Sequence, residues 1–385
     1  MGEIEDPRQR LARLVIERVT VEGGAGARLD SSAFAVRYDE SSVLPLDHLF
    51  HDTAGASDLA LESHVAHFVS TKMSSNFWPG DWHEALPRLR PVLKPSTYTL
   101  GAPSGLLLSR RVFPLVDELV AVDMPFHSSI VSWESIETWG VDPSTVFAAA
   151  RSNLATVTRY ADPTKGRATQ RLVDRGGQYY TSWLLDSGWL ESHRSRFGCA
   201  PVAFVPTVDT LYVVPSDDDD LLAKHFRLAE EQYLHTSRFL SPQAYTVDDS
   251  GAVVTLDVTA PDNPGSARAR CVHISKEYAA QSDWLQRQYE LDRVHSEIGT
   301  VTVKSTPFGP RTVTIWADEV DCTLPETDLV AFCREGVEPF FVQFADVASI
   351  SGVQPMAGLD PARYRVPAWP PPDIVERLRA HSILV

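Results

Sequence analysis

Five of the chain's 12 histidines fall in one stretch: His48, His51, His64, His67 and His83. "DHLFHD" and "HVAH" each set two histidines three residues apart, which on a helix places both imidazoles on one face. Two such pairs beside Asp47, Asp52 and Glu62 have the donor types of a zinc, iron or manganese site. His48, His51, His64 and His67 are therefore the candidate ligands of a divalent metal, and a metal-dependent hydrolase using segment 48–83 is the catalytic reading they permit. The same spacing also fits plain amphipathic helices with half-exposed histidines. Either way the segment needs helices near 44–53 and 58–74, the second carrying Leu61, Val65, Phe68 and Val69 as one apolar stripe.

Other chemistry is sparse. There is no G-x-S-x-G elbow. "VEGGAGARL" is rich in glycine but lacks both G-x-G-x-x-G and the phosphate-binding lysine. Cys199 lies near His193 in "SHRSRFGCAP", where packing at a helix end explains the pair better than nucleophilic catalysis. Four consecutive aspartates, Asp217 to Asp220, lack the alternation and the bend glycine of a calcium loop. They read instead as the first turn of a helix over about 217–235, with Ser216 as its cap and the helix dipole stabilising the carboxylates. "NFWPGDW" places three aromatic side chains beside a rigid turn. That arrangement suits a plug sealing one module better than a ligand platform.

The chain has 385 residues and a net charge of −16, which suits two or three domains. Such an acidic balance disfavours nucleic acid and anionic membranes as partners, since both need a cationic surface. No apolar run reaches the length of a membrane span, and the N-terminal residues do not read as a secretory signal. Cys199, Cys271, Cys322 and Cys333 are scattered without a C-x-x-C pair, which points to a reducing cytoplasm. Lysine and arginine together number 35, only six of them lysine. That bias suggests a bacterial source with a GC-rich genome, such as an actinobacterial one.

The pattern of elements predicts an α+β protein with mixed, largely antiparallel sheets and helices on one face. Residues 1–95 read as a helix–hairpin–helix module. Residues 96–260 read as a domain with two hairpin–helix units, at 117–139 and 201–235. "TAPDNPGSARAR" reads as a boundary, followed by a helix of about twenty residues. "GTVTVKS", "RTVTIWADEV", "DLVAFC" and "PFFVQFADVASI" then predict a small β-barrel or sandwich-like domain within 261–385, closed by a last helix.

"LRPVLKPSTY", "DELVAVDM", "ARSNLATV" and "APVAFVPTVDTLYVV", in that order and spacing, resemble the uncharacterised YtpQ-like family of bacterial proteins over roughly residues 1–260. The resemblance implies a fold and a cytoplasmic setting, and no activity. Residues from about 262 onward lie outside it.

Two functional readings follow. One is a non-catalytic cytoplasmic adaptor whose partner is another protein, with the C-terminal β domain as the interaction module. The other is the metal-dependent hydrolase. The first requires an exposed apolar patch on a sheet edge or on the β domain. The second requires the four histidines to converge.

Overall fold

A computed structural model describes residues 6–39, 42–53, 58–73, 78–102, 106–124, 128–159, 166–174, 176–318, 320–366 and 369–384. The chain divides into two compact units, residues 1–89 with 121–129 and residues 90–120 with 130–385.

In the first unit, helix α1 (Pro7–Val21) begins where Asp6 accepts a hydrogen bond from the Arg8 amide, with Pro7 supplying the fixed φ of a first turn. It buries Leu11, Ala12, Val15 and Val19. Strands β1 (Arg28–Asp30), β2 (Ala35–Tyr38) and β3 (Ser42–Pro45) form an antiparallel sheet in sequential order. Helices α2 (Asp47–Asp52), α3 (Asp58–Met73) and α4 (Trp82–Ala85) follow. The predicted stripe on α3 faces the core: Val65 and Val69 are buried with Val36, Leu44 and Leu46, and Leu61 and Phe68 pack against them.

The next sheet comprises β4 (Leu89–Pro95), β5 (Ser109–Phe113), β6 (Val116–Asp123) and β7 (Ser128–Ile130), arranged β4-β6-β5 with β7 also on β6. Helices α5 (Trp133–Trp139) and α6 (Pro143–Thr158) come next. Strands β8 (Gln170–Val173), β9 (Pro201–Thr207), β10 (Thr210–Pro215), β11 (Phe239–Val247) and β12 (Val253–Thr255) form an antiparallel sheet in the order β12-β11-β9-β10-β8. The hairpin that the apolar runs Val202–Val205 and Thr210–Val214 predict is present.

This sheet is covered on both faces rather than one. Val202, Phe204, Tyr212 and Val214 pack under helix α8 (Asp219–Leu234). The alternate residues Ala203, Val205, Leu211 and Val213 pack against Trp183 and against Trp189, Leu190 and Phe197 of helix α7 (Ser187–Phe197). Strands buried on both sides lose the polar alternation of a half-solvated sheet, which is why β9 reads as an unbroken apolar run.

Three local expectations differ from the structure. Ser216 does not cap α8. Asp218 does, accepting from the Leu221 amide at 2.9 Å, because the preceding Asp217 turns to an ion pair with Arg167 and accepts from the Cys199 thiol. The pattern of residues 178–183 predicts a strand, but Tyr180–Leu185 is a 3-10 helix. Asp174 gathers the amides of Gly176, Gln178 and Tyr179 and turns the chain inward, so that Trp183 is buried. The segment read as a boundary lies mostly within a helix. Following the short helix α9 (Leu256–Thr259), α10 (Pro264–Asp292) runs for 29 residues from an Asn263 cap.

Near its start α10 crosses α8 closely. A Cβ at Gly265 would lie 2.4 Å from Cδ2 of the buried Phe226 ring. Gly265→Ala is therefore expected to lower the melting temperature, since overpacking costs about 1–3 kcal/mol and outweighs the roughly 1 kcal/mol that alanine gains in a helix. A raised melting temperature would show that the ring moves aside freely.

The remaining strands form two small sheets. Strands β13 (Glu297–Ile298), β16 (Cys322–Pro325) and β19 (Arg363–Val366) make one, in the order β13-β16-β19. Strands β14 (Thr302–Thr306), β15 (Gly309–Ala317), β17 (Leu329–Arg334) and β18 (Val337–Gln343) make the other, in that order. Helices α11 (Phe344–Ser351) and α12 (Pro372–Ala380) complete the unit. The run "FADVASI", expected to extend β18, is α11, whose Phe344 and Val347 are buried on one side. Among the described residues no helix is long and apolar enough to cross a membrane.

Candidate binding groove on the curled sheet

Residues paired in register share a face of a sheet, and alternate residues face opposite ways. One face of β14-β15-β17-β18 carries Trp316, Val330, Phe332, Phe340 and Val342. These pack with Phe344, Val347 and Leu378 into a core. The Phe332 and Phe340 rings stack with centroids 4.9 Å apart. The other face carries Val313, Leu329 and Ala331, with Cys333 and Phe341 packed beside them. Ile315 lies on this second face, opposite Ala331, and is 53% exposed.

The sheet is strongly curled. Two strands separate β14 from β18, which in a flat sheet would hold them about 14 Å apart. Yet the Lys304 ammonium of β14 lies 4.2 Å from the centre of the Phe341 ring on β18. The second face is therefore concave. At one end it opens into a groove of about 570 Å³ lined by Thr306, Phe308, Arg311, Leu329, Ile383 and Leu384, with Asp328 and Gln343 also on its wall. Phe308, at the tip of the β14–β15 hairpin, is 79% exposed.

The charges of the groove are unequal in availability. Burial pushes the Asp328 carboxyl up, but the Arg270 ion pair and the hydrogen bonds from the Thr312 amide and hydroxyl outweigh it and hold it below the usual range. Asp328 is therefore a neutralised, fixed carboxylate. Lys304 and Arg311 are direct cross-strand neighbours, and neither is ion-paired to a carboxylate among the described residues. A chain of net charge −16 thus presents two cations at an apolar concavity.

No family model, curated protein or solved structure matches this chain.

A second cleft of about 400 Å³, lined by Arg111, Gln243, Arg270, Tyr278, Glu326 and Asp360, has its charges already engaged. Arg111 pairs with Asp117 and Asp360, Arg270 with Asp328, and Glu326 accepts from the Tyr364 hydroxyl. Behind it the Gln243 amide donates to Nδ1 of His273, whose ring is held neutral because complete burial pushes its pKa down to about 3. Burial also raises the thiols of Cys271, Cys322 and Cys333, which opposes the thiolate form a nucleophile needs. His193 does not activate Cys199. Its ring contacts the Trp189 carbonyl and the Gln170 side-chain oxygen, and its ionisation is opposed by burial.

Of the predicted metal ligands, His48 and His51 fall on α2, and His64 and His67 on α3. The His64 side chain is exposed. The side chains of His48, His51 and His67 lie outside the described residues. Among the described residues no cluster of three or more metal-ligating side chains occurs.

The groove residues were not singled out by sequence. Lys304, Arg311 and Ile383 are separated by up to 79 positions and meet only through strand register and curl. The available cue was Phe308 inside "TPFGPR", a large apolar side chain in a turn where polar residues are the norm.

Proposed function

We propose that this chain is a non-catalytic adaptor that binds another protein through the concave face of the β14-β15-β17-β18 sheet. The observation that carries the reading is the groove, at whose mouth the exposed Phe308 side chain stands, with the exposed Ile315 on the same concave face. Large exposed apolar groups gathered around a concavity are characteristic of recognition sites rather than of a plain surface. The engaged charges of the second cleft and the raised thiols favour binding over catalysis. The four cysteines are free, which fits a reducing cytoplasm.

The test is capture of partners from the native host by the intact chain, compared with Phe308→Asp and Ile315→Asp. Both side chains are exposed, so the variants are expected to keep the melting temperature of the parent. Loss of an apolar anchor from an interface costs about 2 kcal/mol or more, a drop of at least roughly 30-fold in affinity. A partner set unchanged by both substitutions would rule out the groove as the binding face.

A further inference from the structure

We propose that the groove takes an extended acidic peptide segment, which adds to the edge of β18 in place of residues Ser382–Leu384. This rests on the partner-binding reading above and gives the occupant its chemistry.

The β18 edge already accepts one rung from an extended segment. The Ile383 amide donates to the Phe341 carbonyl at 2.9 Å, forming an isolated antiparallel bridge. That bridge is a weak contact. Ile383 remains 38% exposed and Leu384 95% exposed, so little apolar surface is covered. A single rung contributes about 1 kcal/mol net. An incoming strand that makes several rungs and seats alternate side chains in the groove would outweigh it, as in other cases of strand addition to a sheet edge.

The charge of that strand follows from the rim. Lys304 and Arg311 stand side by side on the concave face, without carboxylate partners among the described residues, and the acid on the groove wall, Asp328, is held by Arg270 and Thr312. Carboxylates on the groove-facing side of the peptide complement this pair, while ammonium groups there would oppose it. The net charge of −16 repels acidic segments from the rest of the surface, which confines them to the basic rim.

The experiment is fluorescence polarisation of the full chain with two labelled eight-residue probes, one alternating Val with Glu and one alternating Val with Lys. The Glu probe is expected to bind at least ~10-fold tighter, with an advantage that shrinks as salt rises. Lys304→Glu combined with Arg311→Glu is expected to remove that preference, with the paired glutamine substitutions as a milder check. Ile383→Pro deletes the N–H that Phe341 accepts and is expected to tighten the Glu probe about 3- to 5-fold, in line with the loss of one competing rung. Equal or better binding of the Lys probe would overturn the acidic assignment while leaving the Phe308→Asp test of the groove intact. Unchanged or weaker binding by Ile383→Pro would overturn the replacement of Ser382–Leu384. Binding of neither probe, by the parent or by Ile383→Pro, would overturn the strand-addition proposal as a whole.

Discussion

Replacing Arg363 by methionine is expected to destabilise the second unit by about 3 kcal/mol, a large effect for one side chain. Arg363 is fully buried, and among the described residues its guanidinium donates to no carboxylate. Its five N–H groups are all used. They reach Gln281 Oε1 at 2.5 Å, the Gly299 and Thr323 carbonyls at 2.8 and 3.2 Å, the Tyr278 carbonyl at 3.2 Å and the Ser282 hydroxyl at 2.6 Å. Burial lowers its pKa only to about 10, so the group stays charged at neutral pH. The charge is solvated by protein dipoles, and one side chain on β19 thereby ties α10 to β16 and to the segment after β13.

Methionine would fill much of the same volume, so the cost lies in the stranded acceptors. The Thr323 carbonyl still accepts from the Gly299 amide, and the Tyr278 carbonyl from the Ser282 hydroxyl. Gln281 Oε1 and the Gly299 carbonyl lose their Arg363 donors, and Gln281 cannot simply turn because its NH₂ is committed to the Pro361 carbonyl. Two buried acceptors at about 1–3 kcal/mol each give the expected loss, reduced somewhat because a buried charge is removed with them. Hydrogen exchange reads this locally. The Gly299 amide, bonded to the Thr323 carbonyl, is expected to exchange about 100-fold faster in Arg363→Met if its protection comes from opening of this sheet. Arg363→Lys should fall between, because three ammonium donors cannot span the fork. The nearby Arg365, ion-paired to Asp321 at the surface, is the control, and its substitution should cost under about 1 kcal/mol. Equal effects at 363 and 365 would refute the account.

This residue illustrates which parts of the molecule were legible in the sequence. "PARYRV" shows two arginines on a short strand, and nothing in the pattern separates the buried one from the exposed one. The β9–β10 hairpin and α8 were legible because apolar runs, a turn and an acidic first turn are local signals. The start of α10 was not. "NPGSARAR" has the Gly and Pro of a loop, yet Asn263 caps it, Pro264 fits the first turn, and Gly265 is required by the close approach of Phe226. The α+β class followed from local pattern. The cover on both faces of the five-stranded sheet and the curl of the four-stranded one depend on distant segments. The groove belongs to this second kind of information, since its cations and its apolar floor come from strands whose register no local pattern encodes.

Glu277 gives the second large effect, visible as a change in pH dependence. It is fully buried on α10 and its Oε2 accepts from the Ser96 hydroxyl and from the Thr97 amide and hydroxyl, at 2.9–3.1 Å. Oε1 has no hydrogen-bond partner among the described residues. Burial pushes the carboxyl up to about 7, against the pull of those donors. A folded-state pKa above the unfolded value of about 4.5 means that the folded chain holds the proton longer. Stability from this group is complete below pH 4.5 and is lost as pH rises through 7. The loss is of order 2–4 kcal/mol. One turn earlier, His273 acts in the opposite sense, its stability being present above pH 6.5 and lost as pH falls towards 3. Between about pH 4.5 and 6.5 the two slopes oppose each other, and the parent is expected to show a nearly flat contribution from the pair. Glu277→Gln keeps the shape and an acceptor for Ser96 and Thr97 but cannot ionise. It is expected to equal or slightly trail the parent at pH 4.5, then to gain on it steadily and exceed it by about 2 kcal/mol at pH 8. Urea unfolding of both chains across that range measures the difference, in which all other titrating groups cancel. Parallel curves would mean that Glu277 ionises in the folded chain as it does in the unfolded one, which a carboxyl this deeply buried, with one oxygen unpartnered, should not do.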